Sequence, residues 1–382
     1  MQIKNRNLFR LTRLILLSLP KFFFLLSQFR KQKKKILIIK IDEIGDYFLI
    51  RNFFEEVRKS LKYIEYEIDL LGNESWKNIA TNYDHKFFKK QYFINPSNAL
   101  ESPYEMLKLG WKLFKNNYEI VLQPTFTRRL LNDGLAALSA AKNIIGFYGN
   151  HDGIYPKYKR NTDLFYTEMF TLPEGIDFEF DRNQFFFQKA IDENIQIVAP
   201  YINVKRAKQN DYIILFIGAG IVNRCWPLLN FIEICKLLIE NTDYDIVLSG
   251  GKSEIEDADK ICNILSSERI KNRVGNTTLL ETLQLIADAH LVVCNETSAL
   301  HMAAACSQSV VCILGGGHFF RFAPCPSRIQ NKISYVYTEM PCYSCNWNCI
   351  YPVKKTEAFP CISALSVMQV WDTISEVSKR EE

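Results

Sequence analysis

Short runs that are apolar on both faces alternate along this chain with longer runs whose apolar residues recur at helical spacing. Ile36 to Ile41 is a run of the first kind, and a tight turn at Gly45 and Asp46 follows it. Phe48 to Leu61 then has helical period. Tyr66 to Gly72 and Tyr118 to Pro124 are further strands; between them "SPYEMLKLGWKLFKNN" reads as a helix that Ser102 would cap ahead of Pro103. "AKNIIGF" closes the series. Doubly apolar short runs are what buried parallel strands need, so the alternation predicts an α/β layer structure.

Residues 148–200 are rich in Tyr, Phe, Asn and Asp, with helix expected near 163–171 and 181–194. After a linker-like stretch at 196–211 the pattern restarts. Strands are expected at 212–218, 244–251, 291–295 and from 310, with helices at 227–241, 254–266, 278–289 and 298–306 between them. Thr278 and Glu281 form a capping box, and a last helix of about 366–379 starts at Ser366 with Gln369 three residues on. The chain therefore divides into an arm (1–34), a first α/β domain (35–195), the linker (196–211), a second α/β domain (212–340), a cysteine-rich segment (341–362) and a terminal helix (363–382). Two such domains suggest a small molecule held at the C-terminal ends of strands, where helix N-termini point.

Charge separates the arm from the rest. Residues 1–35 hold ten of the chain's 47 Lys and Arg and none of its 42 acids, so a basic arm precedes a mildly acidic body. No global nucleic-acid footprint follows from that distribution. Leu14 to Phe29 of the arm is apolar, but it is interrupted by Pro20 and Lys21 and is short of the about 20 residues that a span needs. A helix lying on the cytoplasmic leaflet is the reading that explains contiguous Phe22, Phe23 and Phe24 beside so many cations; a free cationic extension is the alternative. All eleven cysteines lie at or after Cys225, several within apolar runs, a usage that suits a reducing cytoplasm.

Three segments carry candidate chemistry. "GAGIVNRCWP" lets backbone approach an anion, with Arg224 placed to clamp a diphosphate. Its departures from GxGxxG, and the Ser249-Gly250-Gly251 end of the next strand, argue against a dinucleotide site. In "VVCNETSALHMAAA", Thr297, Ser298 and His301 stand at the start of a helix, where phosphate is favoured, while Glu296 would reach a sugar hydroxyl. The glycines 315–317 at the next strand end support that phosphate reading. Asp46 could take a proton from a hydroxyl, but spacing alone favours a turn residue or cap, with Asp42 and Glu43 as rivals. Cys342, Cys345, Cys349 and Cys361 form a Cys-x2-Cys-x3-Cys-x11-Cys array, a spacing that a structural zinc would suit and that a local structural element would also explain. Arg128 and Arg129 could meet an anionic acceptor or lie on a solvated face.

"ILIIKIDEIGDYFL", "GAGIVNRCWPLLNFIEICKLL", "VLSGGKSE", "LLETLQLIADAHLVVCNETSALHMAAACSQSVVCILG" and the cysteine segment together resemble glycosyltransferase family 9, that of the ADP-heptose:lipopolysaccharide heptosyltransferases, over about residues 34–378. The resemblance implies a GT-B fold and inverting transfer from a nucleotide-diphosphate sugar, an ADP-sugar being favoured, with no cofactor required. It implies a lipid-linked or polysaccharide acceptor for a cytoplasmic, membrane-associated enzyme. It makes Asp46 the general base, Arg224 the diphosphate contact and Glu254 the acid near the nucleoside. Where the family reads Asp-Thr-Gly-x-x-His, this chain reads Glu296-Thr297-Ser298-x-x-His301. A nucleotide-sugar epimerase and a catalytically silent scaffold in a glycan-assembly complex are the rival readings.

Overall fold

The computed structural model describes residues 3–206, 211–329 and 332–381. It divides into two compact units, Met1–Ile197 and Val198–Glu382. Residues 207–210 of the linker drawn at 196–211 lie outside the described residues.

The first unit is built on six strands: β1 (Lys33–Lys40), β2 (Glu67–Asn73), β3 (Lys90–Ile94), β4 (Tyr118–Gln123), β5 (Asn143–Phe147) and β6 (Glu168–Phe170). They pair in parallel in the order β3-β2-β1-β4-β5-β6. Ile36 to Ile39 in β1 are wholly buried, as a central strand covered on both faces demands. The α-helices of five residues or more are α1 (Arg6–Ser27), α2 (Ile44–Phe48), α3 (Arg51–Lys59), α4 (Pro103–Asn116), α5 (Leu130–Leu138), α6 (Pro156–Asp163) and α7 (Glu179–Ala190). Ser102 is the N-cap of α4, but its hydroxyl donates back to the Asn98 carbonyl instead of capping. The helix expected at 163–171 is absent: α6 ends at Asp163 and Glu168–Phe170 joins the sheet edge beside β5.

The second unit repeats the plan. Its strands are β7 (Tyr212–Phe216), β8 (Asp245–Ser249), β9 (Ile270–Asn272), β10 (Leu291–Asn295), β11 (Val310–Ile313) and β12 (Ile333–Val336), parallel in the order β12-β11-β10-β7-β8-β9. Its helices are α8 (Leu228–Asn241), α9 (Ile255–Leu265), α10 (Leu279–Asp288), α11 (Ser298–Ala305) and α12 (Val367–Glu381). The capping box of Thr278 and Glu281 forms at the start of α10, and Ser366 and Gln369 bond reciprocally ahead of α12. Counted from its own first strand, each sheet has the order 3-2-1-4-5-6 of a doubly wound fold. Its switch point falls between β1 and β4 in one unit and between β7 and β10 in the other, which is where such folds hold ligands.

The arm is part of the first unit. Thr12, Leu16, Pro20, Phe23 and Ser27 recur at helical spacing and form the buried stripe of α1. Gly134 in α5 lets α1 come close: a methyl group there would lie 2.7 Å from Leu16 Cβ. Phe23 packs on Phe114 of α4 with ring centres 4.5 Å apart, and Arg30 donates to carbonyls of Phe114, Ser139 and Ala140. Among the described residues no helix is long and apolar enough to cross a membrane.

Because Leu16 is wholly buried, Leu16→Ala is expected to cost about 2–5 kcal/mol of stability. Leu14, on the exposed face, should cost no more than about 0.5 kcal/mol when changed to Ala. Denaturant unfolding of the full chain reads both; equal effects would mean that α1 is not held in this fold.

Candidate functional site

Both switch points carry polar groups that an apolar sheet end does not need. In the first unit, β1 ends at Lys40, which is wholly buried. Its ammonium lies 3.0 Å from Asp42 Oδ2 and 3.9 Å from Asp46 Oδ1. Burial works against that charge, but Asp42, Asp46 and Glu179 outweigh it and hold the Lys40 pKa above its ordinary value. Burial likewise disfavours the Asp42 carboxylate, yet Lys40, Arg129 and the Thr125 hydroxyl keep its pKa below the usual range. Thr125 donates to Asp42 Oδ2 at 2.7 Å, and Trp76 Nε1 donates to the Asp42 carbonyl at 3.0 Å. Asp42 is therefore spent in holding the loop. Asp46, in the first turn of α2, keeps 18% of its side-chain surface open.

In the second unit the loop after β7 is pinned by Asn295 at the end of β10. The Asn295 amide donates to the Gly218 carbonyl at 3.1 Å, and its oxygen accepts from the Trp226 N–H at 3.0 Å. This brings Arg224 to the strand end. Its Nη2 donates to the Glu296 carbonyl at 2.8 Å and lies 3.5 Å from Glu296 Oε1. The ring of Trp347 packs on the same guanidinium, 4.4 Å from its centre, and Trp347 Nε1 donates to His318 Nδ1 at 3.1 Å. Thr297 caps α11, accepting from the Ala299 N–H, and Ser298 opens the helix. His301, one turn in, is 4% exposed. Phe322 touches the rings of both His301 and His318.

Three polar atoms of this cluster are buried without a hydrogen-bond partner: Arg224 Nε, Glu296 Oε2 and His301 Nδ1. Such atoms are costly unless a ligand or water completes them. Burial pushes the Glu296 carboxyl up to about 7, against the pull of Arg224 and Arg321. It pushes His301 down to about 4. Burial, with Arg321 and Arg224, takes His318 down to about 3, so His318 is neutral and its 4.0 Å approach to Glu296 is not an ion pair. Glu254 sits over the glycine loop: a methyl group on Gly218 would lie 2.5 Å from the Glu254 carboxyl carbon. That carboxylate accepts from the Gly251 N–H at 2.6 Å and from Ser253.

The sequence profile of glycosyltransferase family 9 (heptosyltransferase) matches residues 134–349, more than half of the chain. The chain belongs to glycosyltransferase family 9. It is 24% identical over 289 residues to lipooligosaccharide heptosyltransferase 2 of Haemophilus ducreyi, a match covering 71% of this chain and 80% of that protein. It is 33% identical over 93 residues to lipopolysaccharide heptosyltransferase 2 of Salmonella typhimurium, and there it spans only 26% of the relative's length. The fold is that of the Escherichia coli ADP-heptose lipopolysaccharide heptosyltransferase II structure, with a TM-score of 0.68 at 16% identity, over 91% of this chain and 99% of that one. The two parallel sheets with their flanking helices are thus the α/β, GT-B-like architecture expected for the family.

Within this family 9 chain some expected site residues are placed elsewhere. Arg128 cannot meet an acceptor. It is wholly buried, bonded to Asp133, Asp163, Thr162 and the Phe147 carbonyl, with its guanidinium over Tyr166. Arg129 is exposed and near enough to favour the carboxylates of Asp42 and Glu43, though burial still leaves the Glu43 pKa above its ordinary value. The glycines 315–317 are not a phosphate cradle: methyl groups on them would collide with Trp347, Tyr343 and Trp347 in turn, at 2.8, 2.1 and 2.1 Å. Their bareness makes room for aromatic rings. The zinc reading of Cys342, Cys345, Cys349 and Cys361 is not supported. The four line one cavity of about 10 Å³, beside the rings of Tyr343, Trp347 and Phe359. Among the described residues no three His, Cys, Asp or Glu are grouped to hold a metal.

Three residues at the sites escaped the sequence reading. Lys40 was signalled by a lone cation ending an apolar strand, and His318 by its place after three glycines. Trp347 had no signal beyond its place between two of the cysteines.

Glu296 and His301 titrate in opposite senses. Glu296 has a raised pKa, so its stabilising contribution is complete below 4.5 and is lost as pH rises towards about 7. His301 has a lowered pKa, so its contribution is complete above 6.5 and is lost as pH falls towards about 4. Each is worth about 3 kcal/mol at most, and between 4.5 and 6.5 the two slopes oppose each other. Relative to wild type, Glu296→Gln should gain stability as pH rises through 4.5–7, and His301→Gln should lose it as pH rises through 4–6.5. Urea unfolding across pH measures both, and difference curves that stay flat would contradict the burial of these two groups.

Proposed function

We propose that this chain transfers a sugar, a heptose or a related one, from a nucleotide-diphosphate sugar to a hydroxyl of a lipopolysaccharide or other cell-surface glycan, with inversion at the anomeric carbon. The observation that carries the reading is the cluster of unpartnered buried atoms on Arg224, Glu296 and His301 around the start of α11. A diphosphate supplies acceptors for the guanidinium, for His301 and for the first amides of the helix. A sugar hydroxyl supplies the donor that Glu296 Oε2 lacks. Glu254, near the glycine loop, is assigned to the nucleoside. An ADP-sugar is the donor we favour, because one fold relative is described as an ADP-heptose enzyme.

In this mechanism Asp46 accepts the proton of the acceptor hydroxyl while its oxygen forms the new bond to the anomeric carbon. The bond from that carbon to the diphosphate breaks on the opposite side, and its electron pair leaves with the phosphate. Arg224, His301 and the amides of residues 298 and 299 stabilise that charge as it grows. Lys40, 3.9 Å from Asp46 Oδ1, holds that carboxylate in place by its charge. Trp347 and His318 hold Arg224 against the site. Arg129 remains as the cation for an anionic acceptor. The steps use only side chains and backbone N–H groups of this chain.

We place the protein on the inner face of the cytoplasmic membrane, where lipid-linked acceptors are presented. The support is the ten-cation N-terminal segment and the exposed apolar face of α1, which carries Leu11, Leu14, Phe22, Phe24 and Leu25.

Thermal unfolding against ADP, GDP, UDP and their sugars tests the donor site. A rise in Tm with one nucleotide, lost in His301→Ala, is the expected result. Asp46→Asn should keep that rise and lose about 10²–10⁴ in transfer rate. No shift with any nucleotide, in a folded protein, would favour the scaffold.

A further inference from the structure

One cavity of the first unit lies away from its switch point, against the C-terminal half of α1. Its volume is about 780 Å³, within the about 300–1,000 Å³ of ligand pockets. Leu17, Phe24 and Leu25 of α1 form one wall, and Leu164 and Phe165, at the end of α6, face them. The floor is small and apolar: Ala137, Ala141 and Ile144. A second cavity of about 630 Å³ continues the groove towards the start of α1, sharing Leu17, Ser18 and Asn161 with the first. Here three cations, Arg10, Arg13 and Lys157, join Leu11, Leu14 and Tyr158 in the lining. Lys21 and Lys142 stand on the rim of the apolar half, and no carboxylate lines either half.

One helix thus presents two apolar faces. The inner one is satisfied by α4 and α5. The outer one leaves Phe24 and Leu25 more than half exposed, and Leu164 opposite is 84% exposed. Water is a poor partner for such a surface, and an apolar slot that opens into a basic slot matches an amphiphile with a negative head.

We propose that the groove between α1 and α6 is a lipid site: it takes an acyl chain of an anionic membrane phospholipid in its apolar half and the phosphate headgroup among Arg10, Arg13 and Lys157. The proposal rests on the membrane-surface reading above and adds to it a specific, saturable site. Lipid held there would fix the roll of α1 on the bilayer, where a merely apolar helix face leaves it unset.

The test uses the full chain and two probes. Dihexanoyl phosphatidylglycerol, kept below its micelle concentration, reports the groove; vesicles with and without phosphatidylglycerol report the surface. Native mass spectrometry should find one short-chain phosphatidylglycerol per chain, with short-chain phosphatidylcholine bound at least about tenfold more weakly. Ser18→Trp, at an exposed helical position that lines both halves, should weaken the phosphatidylglycerol complex at least about tenfold without lowering Tm. The pair Arg10→Glu and Lys157→Glu should do the same by charge. Short-chain binding that ignores these variants, or that ignores the headgroup, overturns the lipid site even if vesicles still bind. Failure of the wild type to bind anionic vesicles overturns the membrane reading itself, and the lipid site with it.

Discussion

Glu296 is a carboxyl group that the fold has taken out of water and set against Arg224 without completing its hydrogen bonds. Much of the second unit is arranged to keep it there. Asn295, its neighbour, pins the β7 loop so that Arg224 arrives on the same side. Trp347 covers the guanidinium and donates to His318, which burial keeps neutral. The bareness of glycines 315–317 lets those rings in. With its pKa near 7, Glu296 exchanges its proton with modest changes of surroundings, so an arriving diphosphate need not meet a fixed negative charge.

The first unit solves the converse problem. Lys40 is a buried cation, and its neutralisation by Asp42 and Asp46 orders the loop that carries the proposed base. Asp42 is fully committed, held by Thr125 and Lys40, and Asp46 is left at the edge of the pair. Removing one partner of a buried pair costs more than the pair itself is worth, because the other charge stays behind. The geometry of Asp46 is therefore tied to the sheet rather than to a mobile loop.

Much of this was legible in the sequence. Apolar runs on both faces marked the parallel strands, because only buried strands tolerate them, and the capping residues Thr278 and Ser366 marked helix starts. The residues 295–301 were legible as a candidate site since polar groups there interrupt a buried strand and helix. What was not legible depended on contacts distant in sequence. Arg128 and Arg129 are neighbours with opposite fates, decided by Asp133, Asp163 and Tyr166. Residues 163–171 have a helical pattern, and β5 draws 168–170 into the sheet instead. The cysteine segment had the spacing of a metal site, but its structural role is to deliver Tyr343 and Trp347 to three glycines. The arm's basic and apolar character was plain; that one stripe of it would pack on α4 and α5 was not, because Gly134 makes that approach possible.

The account turns on Arg224 and His301 holding a diphosphate beside Glu296, so that occupancy of the site is linked to a proton. Calorimetric titration of wild type and Glu296→Gln with ADP, from pH 5.5 to 8.5, tests this most directly. ADP's own ionisation is common to both proteins. The account expects wild-type affinity, relative to that of Glu296→Gln, to fall as pH rises through about 7. A constant ratio of the two affinities across that range, or no ADP binding by either protein, would contradict it.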